Sequence, residues 1–172
     1  MSKSISRLQF LRGDWTGKIE LICPPSNQTK AHFQKNCTGC RACVAACPEK
    51  IIVMSRRGFP YLDFNRRESE CTFCGECAKV CEADALVEFE AEKPPRTWLW
   101  QAQIKDSCLA QQKVICRSCG EVCLQTAIVF HLQVGGVAKP ELNTEQCNGC
   151  GACLSVCPVD AITLIREKND NM

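Results

Sequence analysis

Cysteine is the residue that most constrains what this chain can fold into. It supplies 17 of the 172 residues, and a shift of 34 positions superimposes the first cluster of four on the second. A shift of 76 positions carries both onto the last two groups, except that Cys37 meets Lys113. Repetition at fixed periods identifies a duplicated unit of two cysteine motifs. The four groups are Cys37, Cys40, Cys43 and Cys47; Cys71, Cys74, Cys77 and Cys81; Cys108, Cys116, Cys119 and Cys123; and Cys147, Cys150, Cys153 and Cys157.

The composition leaves little material for an ordinary hydrophobic core. The hydrophobic fraction of 45% includes the cysteines, and without them it falls to roughly 35%, below the usual range for globular domains. The net charge of +2 excludes a nucleic-acid-binding protein that relies on bulk electrostatics. No apolar run is long enough to predict a membrane span. The chain is therefore expected to be organised around metal or disulfides.

The first residues favour metal over disulfides. Asp14, Lys18 and Glu20 interrupt any apolar stretch that could serve as a secretory signal. Residues 6–12 resemble a twin-arginine export motif, but Leu8 occupies the place of the second arginine. We therefore expect a cytoplasmic protein, and dense cysteine in a reducing compartment is more typical of metal binding. The odd number of cysteines also fits a disulfide framework poorly.

The spacing within the groups predicts iron–sulfur clusters. Groups one, two and four read C-x2-C-x2-C-x3-C, the ligand run of bacterial [4Fe–4S] ferredoxins. In that run three cysteines of one group wrap one cluster, and the fourth cysteine ligates the neighbouring cluster. The sequence therefore predicts four [4Fe–4S] clusters at four sites. Site I is Cys37, Cys40, Cys43 and Cys81; site II is Cys71, Cys74, Cys77 and Cys47; site III is Cys147, Cys150, Cys153 and Cys123; site IV is Cys108, Cys116, Cys119 and Cys157.

The third group leaves an alternative open, because seven residues separate Cys108 from Cys116. A labile or three-iron cluster without Cys108 would also fit that spacing. Cys23 stands outside the groups, beside Pro24, and is interpreted as a bystander. Structural zinc is disfavoured because it pairs C-x2-C units across a longer spacer.

The fold class predicted is α+β, with two tandem bacterial dicluster ferredoxin-like modules of small hairpins and short helices around four clusters. Hairpins are expected at 51–64, with a turn near Arg57-Gly58, and at 127–142, with a turn at Gly135-Gly136. Short strands are expected at 82–87, 124–129 and 158–163, and the last cysteines of each group are expected on short helices. Trp98 and Trp100 are interpreted as docking a linker onto the core, with a redox relay as the alternative. The predicted boundaries are a basic extension at 1–36, a first module at 37–91, a linker at 92–107, a second module at 108–166 and a tail at 167–172.

Several features outside the groups resemble the NapF family, the ferredoxin-type proteins of periplasmic nitrate reductase systems. They are SRLQFLRGDW near the start, Pro24-Pro25, His32-Phe33, residues 106–110 with 116–119, and the segment LNTEQCNGCGACLSVCPVDAIT. The resemblance implies a cytoplasmic iron–sulfur accessory protein that binds the catalytic subunit, NapA, and assists its maturation before export. No phosphate-binding loop, nucleophile elbow or acid–base pair appears, so we expect no enzymatic activity. A general electron-transfer ferredoxin is the alternative.

Overall fold

The computed structural model describes residues 21–26, 28–65, 69–95, 98–134 and 136–166. Residues 1–20 of the predicted extension and the predicted tail at 167–172 lie outside these ranges. The helices are α1 (Lys30–Asn36), α2 (Ala42–Ala46), α3 (Glu76–Lys79), α4 (Ser118–Glu121) and α5 (Ala152–Ser155). The strands are β1 (Ile52–Met54), β2 (Pro60–Leu62), β3 (Trp100–Ile104), β4 (Ile128–His131), β5 (Lys139–Leu142) and β6 (Ile162–Arg166). No helix in the described residues is long and apolar enough to span a membrane.

Both predicted hairpins are confirmed. Strands β1 and β2 pair antiparallel, with Ile52 opposite Leu62. Their turn is closed by a hydrogen bond of 3.0 Å from the Gly58 N–H to the carbonyl oxygen of Ser55. Strands β4 and β5 pair in the same way, and each hairpin follows the first cysteine group of its half. Gly135, half of the predicted second turn, lies outside the described residues.

Each half has a small hydrophobic core, and the two cores repeat the 76-residue period of the cysteines. Both contain the third cysteine of each motif, so thiols take positions that aliphatic side chains fill in larger domains. This repetition extends the duplication from the cysteines to the packing around them. The buried pairs related by the period are Cys43 and Cys119, Ile52 and Ile128, Cys77 and Cys153, and Leu86 and Ile162.

The segment predicted as a linker, 92–107, contains a strand that belongs to the second half. Strand β3 pairs antiparallel with β6 along its whole length, from Trp100 opposite Arg166 to Ile104 opposite Ile162. Ala102, at the centre of β3, is buried in the second core. The strands predicted at 124–129 and 158–163 are confirmed only for their last two residues, because β4 begins at Ile128 and β6 begins at Ile162.

The strand predicted at 82–87 is wrong, because these residues form turns rather than a ladder. In the second half the corresponding strand is β6, which pairs with β3. The residues that lie 76 positions before β3 are 24–28. That segment begins with Pro24-Pro25, and proline has no N–H to donate to a ladder. Here the Ser26 hydroxyl accepts a hydrogen bond of 2.8 Å from the Val87 N–H. Residues 21–26, inside the predicted extension, therefore pack on the first half.

Ser26 replaces a missing ladder bond, so removing its hydroxyl should destabilise the first half. Ser26→Ala leaves the Val87 N–H without this acceptor, at a cost of about 1–2 kcal/mol. We expect the midpoint of thermal unfolding to fall by roughly 2–6 °C under anaerobic conditions. Ser155→Ala is the control, because that hydroxyl only donates to Ala152 within its own helix. Equal midpoints for the two variants would contradict this role for Ser26.

Candidate metal centres

Short helices and left-handed residues shape the cysteine loops. In each group the third cysteine lies within a helix and is buried, whereas the fourth lies beyond the helix end, so the helical prediction is right for the third cysteine only. Arg41, Gly75 and Gly151 precede α2, α3 and α5 with φ values of 69°, 78° and 87°. This reversal ends the loop that carries the first two cysteines and starts the helix that carries the third. At sites I, II and III the sequence thus curves the three cysteines of one group around a shared space, whereas α4 at site IV follows Arg117, whose φ is −135°.

At site I the structure brings together four cysteines from two distant groups. Burial, reinforced by negative charge on Cys37, Cys40 and Cys81, raises the pKa of the Cys43 thiol to about 11. These three residues are the other predicted members of the site. Cys81 thus joins the first group across 34 residues of chain, as its spacing predicts.

Site II has the reciprocal arrangement. The pKa of Cys71 is raised to about 12, chiefly by burial. A backbone hydrogen bond at Phe73 opposes this rise, and negative charge on Cys77, Cys47 and Cys74 contributes to it. Cys77 also lies within electrostatic reach of Cys43 in site I. The two sites of the first half are therefore neighbours that exchange their fourth cysteines.

Site III repeats this pattern in the second half. Burial raises the pKa of Cys153, and charge on Cys150, Cys147 and Cys123 acts in the same direction. Cys119 of site IV is also within electrostatic reach. Sites III and IV are therefore paired in the same way as sites I and II.

Site IV includes Cys108 despite its long separation from Cys116. Burial, together with negative charge on Cys108, Cys116 and Cys157, raises the pKa of Cys119 to about 11. The intervening residues fold back through consecutive turns, with the Gln112 N–H donating to the carbonyl oxygen of Cys108 at 3.0 Å. The expanded spacing therefore forms a compact loop that returns the chain to the other three cysteines.

Backbone N–H groups point at the sulfur atoms of several sites. Leu86 donates to Sγ of Cys81 at 3.3 Å, and Ala161 donates to Sγ of Cys157 at 3.2 Å. Ala102 in β3 donates to Sγ of Cys147 at 3.4 Å. Donors of this kind stabilise negative charge on thiolate sulfur and tune an attached cluster. These donors could not be identified from the sequence, since every residue other than proline has a backbone N–H. For Leu86 and Ala161 the signal was the segment of alanine and aliphatic residues that follows the motif.

Apolar recesses lie inside two of the sites. The recess at site I encloses about 360 Å³, part of it open to solvent, and Phe33, Pro60 and Leu86 form its wall beside the cysteines. The recess at site III encloses about 350 Å³, with Ala102 and Leu164 in its wall. An apolar wall around thiolate ligands suits an iron–sulfur cluster, because the reduction potential of a cluster depends on the access of water to it.

The donor set also agrees with clusters rather than with the alternatives. All seventeen cysteines are free, without disulfide bonds. Within the described ranges, no three His, Cys, Asp or Glu side chains are arranged to hold a single metal ion. Cys23 packs against the first hydrophobic core. The thiols of each site surround a volume instead of a point, which fits a cubane of several iron atoms.

Comparison with known proteins identifies both halves as iron–sulfur units. A family model described as a 4Fe-4S dicluster domain matches residues 36–85, and a 4Fe-4S binding domain matches residues 140–163. The chain therefore contains two ferredoxin-type domains built from short helices and two-stranded sheets.

Relatives extend this likeness over nearly the whole chain. The ferredoxin-type protein NapF of Escherichia coli K12 is 39% identical over 163 residues, covering 95% of this chain and 96% of that protein. NapF of Haemophilus influenzae is 37% identical over 172 residues, with 94% of each covered. The methylamine utilization ferredoxin-type protein MauM of Methylophilus methylotrophus is 27% identical over 157 residues, 80% of this chain and 66% of that protein. The coverage, the identity and the two iron–sulfur domains together show that the chain belongs to the NapF family of ferredoxin-type proteins.

Proposed function

We propose that the chain carries four [4Fe–4S] clusters, one at each of sites I to IV, held by all sixteen grouped cysteines. The observation that carries this proposal is the grouping of the thiols, since in each site one thiol feels the charge of the other three members. A bound cluster of this type accepts or releases one electron. The protein supplies thiolates for the iron, N–H donors for the sulfur and apolar walls that limit access of water.

We further propose that the protein acts in the cytoplasm on the precursor of NapA, the catalytic subunit of periplasmic nitrate reductase. In this proposal it binds the unexported precursor and assists its maturation. Support comes from membership of the NapF family over about 95% of the chain. The expanded loop after Cys108 also supports it, since the electron shuttling of a small ferredoxin needs no such loop.

Exposed apolar side chains favour a dedicated protein partner. Ile115 and Leu124 are each 83% exposed, and they flank the segment that carries three cysteines of the third group. Large apolar side chains that are exposed beside a functional site mark protein contacts more often than single scattered ones do. We assign these two residues to the contact with the precursor.

A general electron-transfer ferredoxin is the second candidate function. Cys40 of site I is the one cysteine of the seventeen that is exposed. A cluster near the surface can exchange electrons with several soluble donors and acceptors. That observation favours a shuttle, whereas the exposed residues beside sites III and IV favour a single partner.

Cys108 is the ligand on which the four-cluster proposal depends most. Replacing its thiol with a hydroxyl removes one thiolate ligand from site IV. After anaerobic reconstitution Cys108→Ser should therefore contain about four fewer iron atoms per chain than the wild-type protein. Cys23→Ser is the matched control, because Cys23 belongs to no site, and it should keep its iron. Iron and sulfide analysis measures both variants, and equal iron contents would contradict the assignment of Cys108.

Binding to the catalytic subunit separates the two functions. We expect the anaerobically loaded protein to capture the cytoplasmic precursor in preference to the mature enzyme. Ile115→Asp combined with Leu124→Asp should weaken that binding by about tenfold or more, since each change buries a charge in an apolar contact. Surface-immobilised protein and purified precursor give the dissociation constants.

Val134→Asp is the control for those substitutions. Val134 is fully exposed and follows β4, eleven residues after Cys123 in the sequence. Its binding should remain at the wild-type value. Equal capture of precursor and mature enzyme, or recovery of a mixture of redox proteins from cytoplasm, would favour the general ferredoxin.

A further inference from the structure

We propose that Trp98 and Gly151 are positioning residues that lock the two halves together, with site II directly against site III. Together with their contacts Phe64, Phe73 and Asn148, they form what we term the inter-module seam. This proposal rests on the proposed function in one respect, that sites II and III hold clusters. The seam itself is a property of the polypeptide.

The cysteine loops of sites II and III are in direct contact. The N–H of Cys71 donates a hydrogen bond of 2.8 Å to the carbonyl oxygen of Cys150. One residue belongs to the first half and the other to the second, 79 positions apart. Leu154 and Leu164 of the second half reinforce the contact, because both pack against the hydrophobic cores of both halves.

At Gly151 the two halves pack too closely to leave room for a side chain. A Cβ at this position would lie 2.4 Å from the ring of Phe64, which belongs to the first core. The left-handed backbone alone does not demand glycine here, since Arg41 occupies the same motif position in site I with a φ of 69°. Glycine is therefore required at 151 by the aromatic ring of the other half.

Trp98 connects the two loops from the side. Its ring makes an edge contact with Phe73, between Cys71 and Cys74, at a centroid distance of 5.5 Å. Its indole N–H donates to the carbonyl oxygen of Asn148, between Cys147 and Cys150, at 3.0 Å. One side chain of the predicted linker thus touches the loops of both middle sites. Docking was the sequence interpretation of Trp98, and the surface on which it docks is this seam.

The seam places the four sites in a fixed order. Sites I and II adjoin within the first half, and sites III and IV adjoin within the second. The seam adds a contact between sites II and III. The order is therefore I, II, III, IV, with the exposed Cys40 at one end and Cys108 at the other. Two halves joined only by a flexible linker would fix no such order.

Gly151→Ala tests the seam against a closely matched control. The control is Gly75→Ala, which has the same motif position and a φ of 78°, but whose added Cβ would meet nothing closer than 4.0 Å. Both variants carry the same backbone strain, and only Gly151→Ala drives a methyl group into Phe64. Small-angle X-ray scattering of the full loaded chain should show a larger radius of gyration for Gly151→Ala and no change for Gly75→Ala.

Electron paramagnetic resonance of the fully reduced protein provides a second readout. Gly151→Ala should lose the part of the spin–spin broadening that arises between the halves and keep the part that arises within each half. Trp98→Phe keeps an aromatic ring, but it removes the N–H donated to Asn148 and part of the ring surface. It should keep its iron and lower the midpoint of thermal unfolding, and so tests the seam even if Gly151→Ala fails to fold.

The outcomes separate the seam from cluster binding. Low iron in the wild-type protein would count against the proposed function and leave the scattering test intact, because scattering reports the polypeptide. Identical scattering for the two glycine variants, with an unchanged midpoint for Trp98→Phe, would overturn the seam.

Discussion

The mutual burial of cysteine thiols from sequence-distant groups is the constraint on which this structure depends. Each third cysteine lies in a hydrophobic core and close to thiols from another group. As free thiols they remain protonated near neutral pH, since burial and neighbouring charge raise the pKa of Cys43 to about 11 and that of Cys77 to about 12. Cluster iron would replace those protons, so that the crowded thiols become thiolates bonded to iron. The exchange of Cys47 and Cys81 between neighbouring sites then ties the two motifs of a half together.

Much of this organisation could be predicted from the spacing of cysteines. The groups and their 76-residue period predicted the four sites and the repeated halves, because in a dicluster ferredoxin one run supplies three ligands of a cluster and the neighbouring run supplies the fourth. The hairpins could be predicted from their turn residues, Arg57-Gly58 in the first and Gly135-Gly136 in the second. These features depend on local sequence, so a single chain contains the information for them.

What could not be predicted depends on contacts between distant segments. Whether 82–87 forms a strand depends on its partner, and Pro24-Pro25 removes the N–H groups that a ladder needs. Strand β3 was hidden in a segment that looked like a linker, because its pairing with β6 is non-local. Likewise, nothing in the sequence around Gly151 indicates that Phe64 packs on it.

These contacts turn a repeated pair of ferredoxin-type units into one body with distinct ends. The first half exposes Cys40, and the second exposes Ile115 and Leu124 beside its cysteine motifs. This asymmetry between duplicated halves suits a protein that meets different molecules at its two ends. It would be unexpected in a structure whose only role was to store iron.

Native mass spectrometry of the anaerobically purified full chain tests the central claim most directly. The account predicts a dominant species that carries about sixteen iron and sixteen sulfide, in four equal increments of one cubane. Collisional activation in the mass spectrometer should remove whole cubanes, since each cubane is held by its own set of four cysteines. A dominant species with two cubanes, or with metal bound as single ions, would contradict the account.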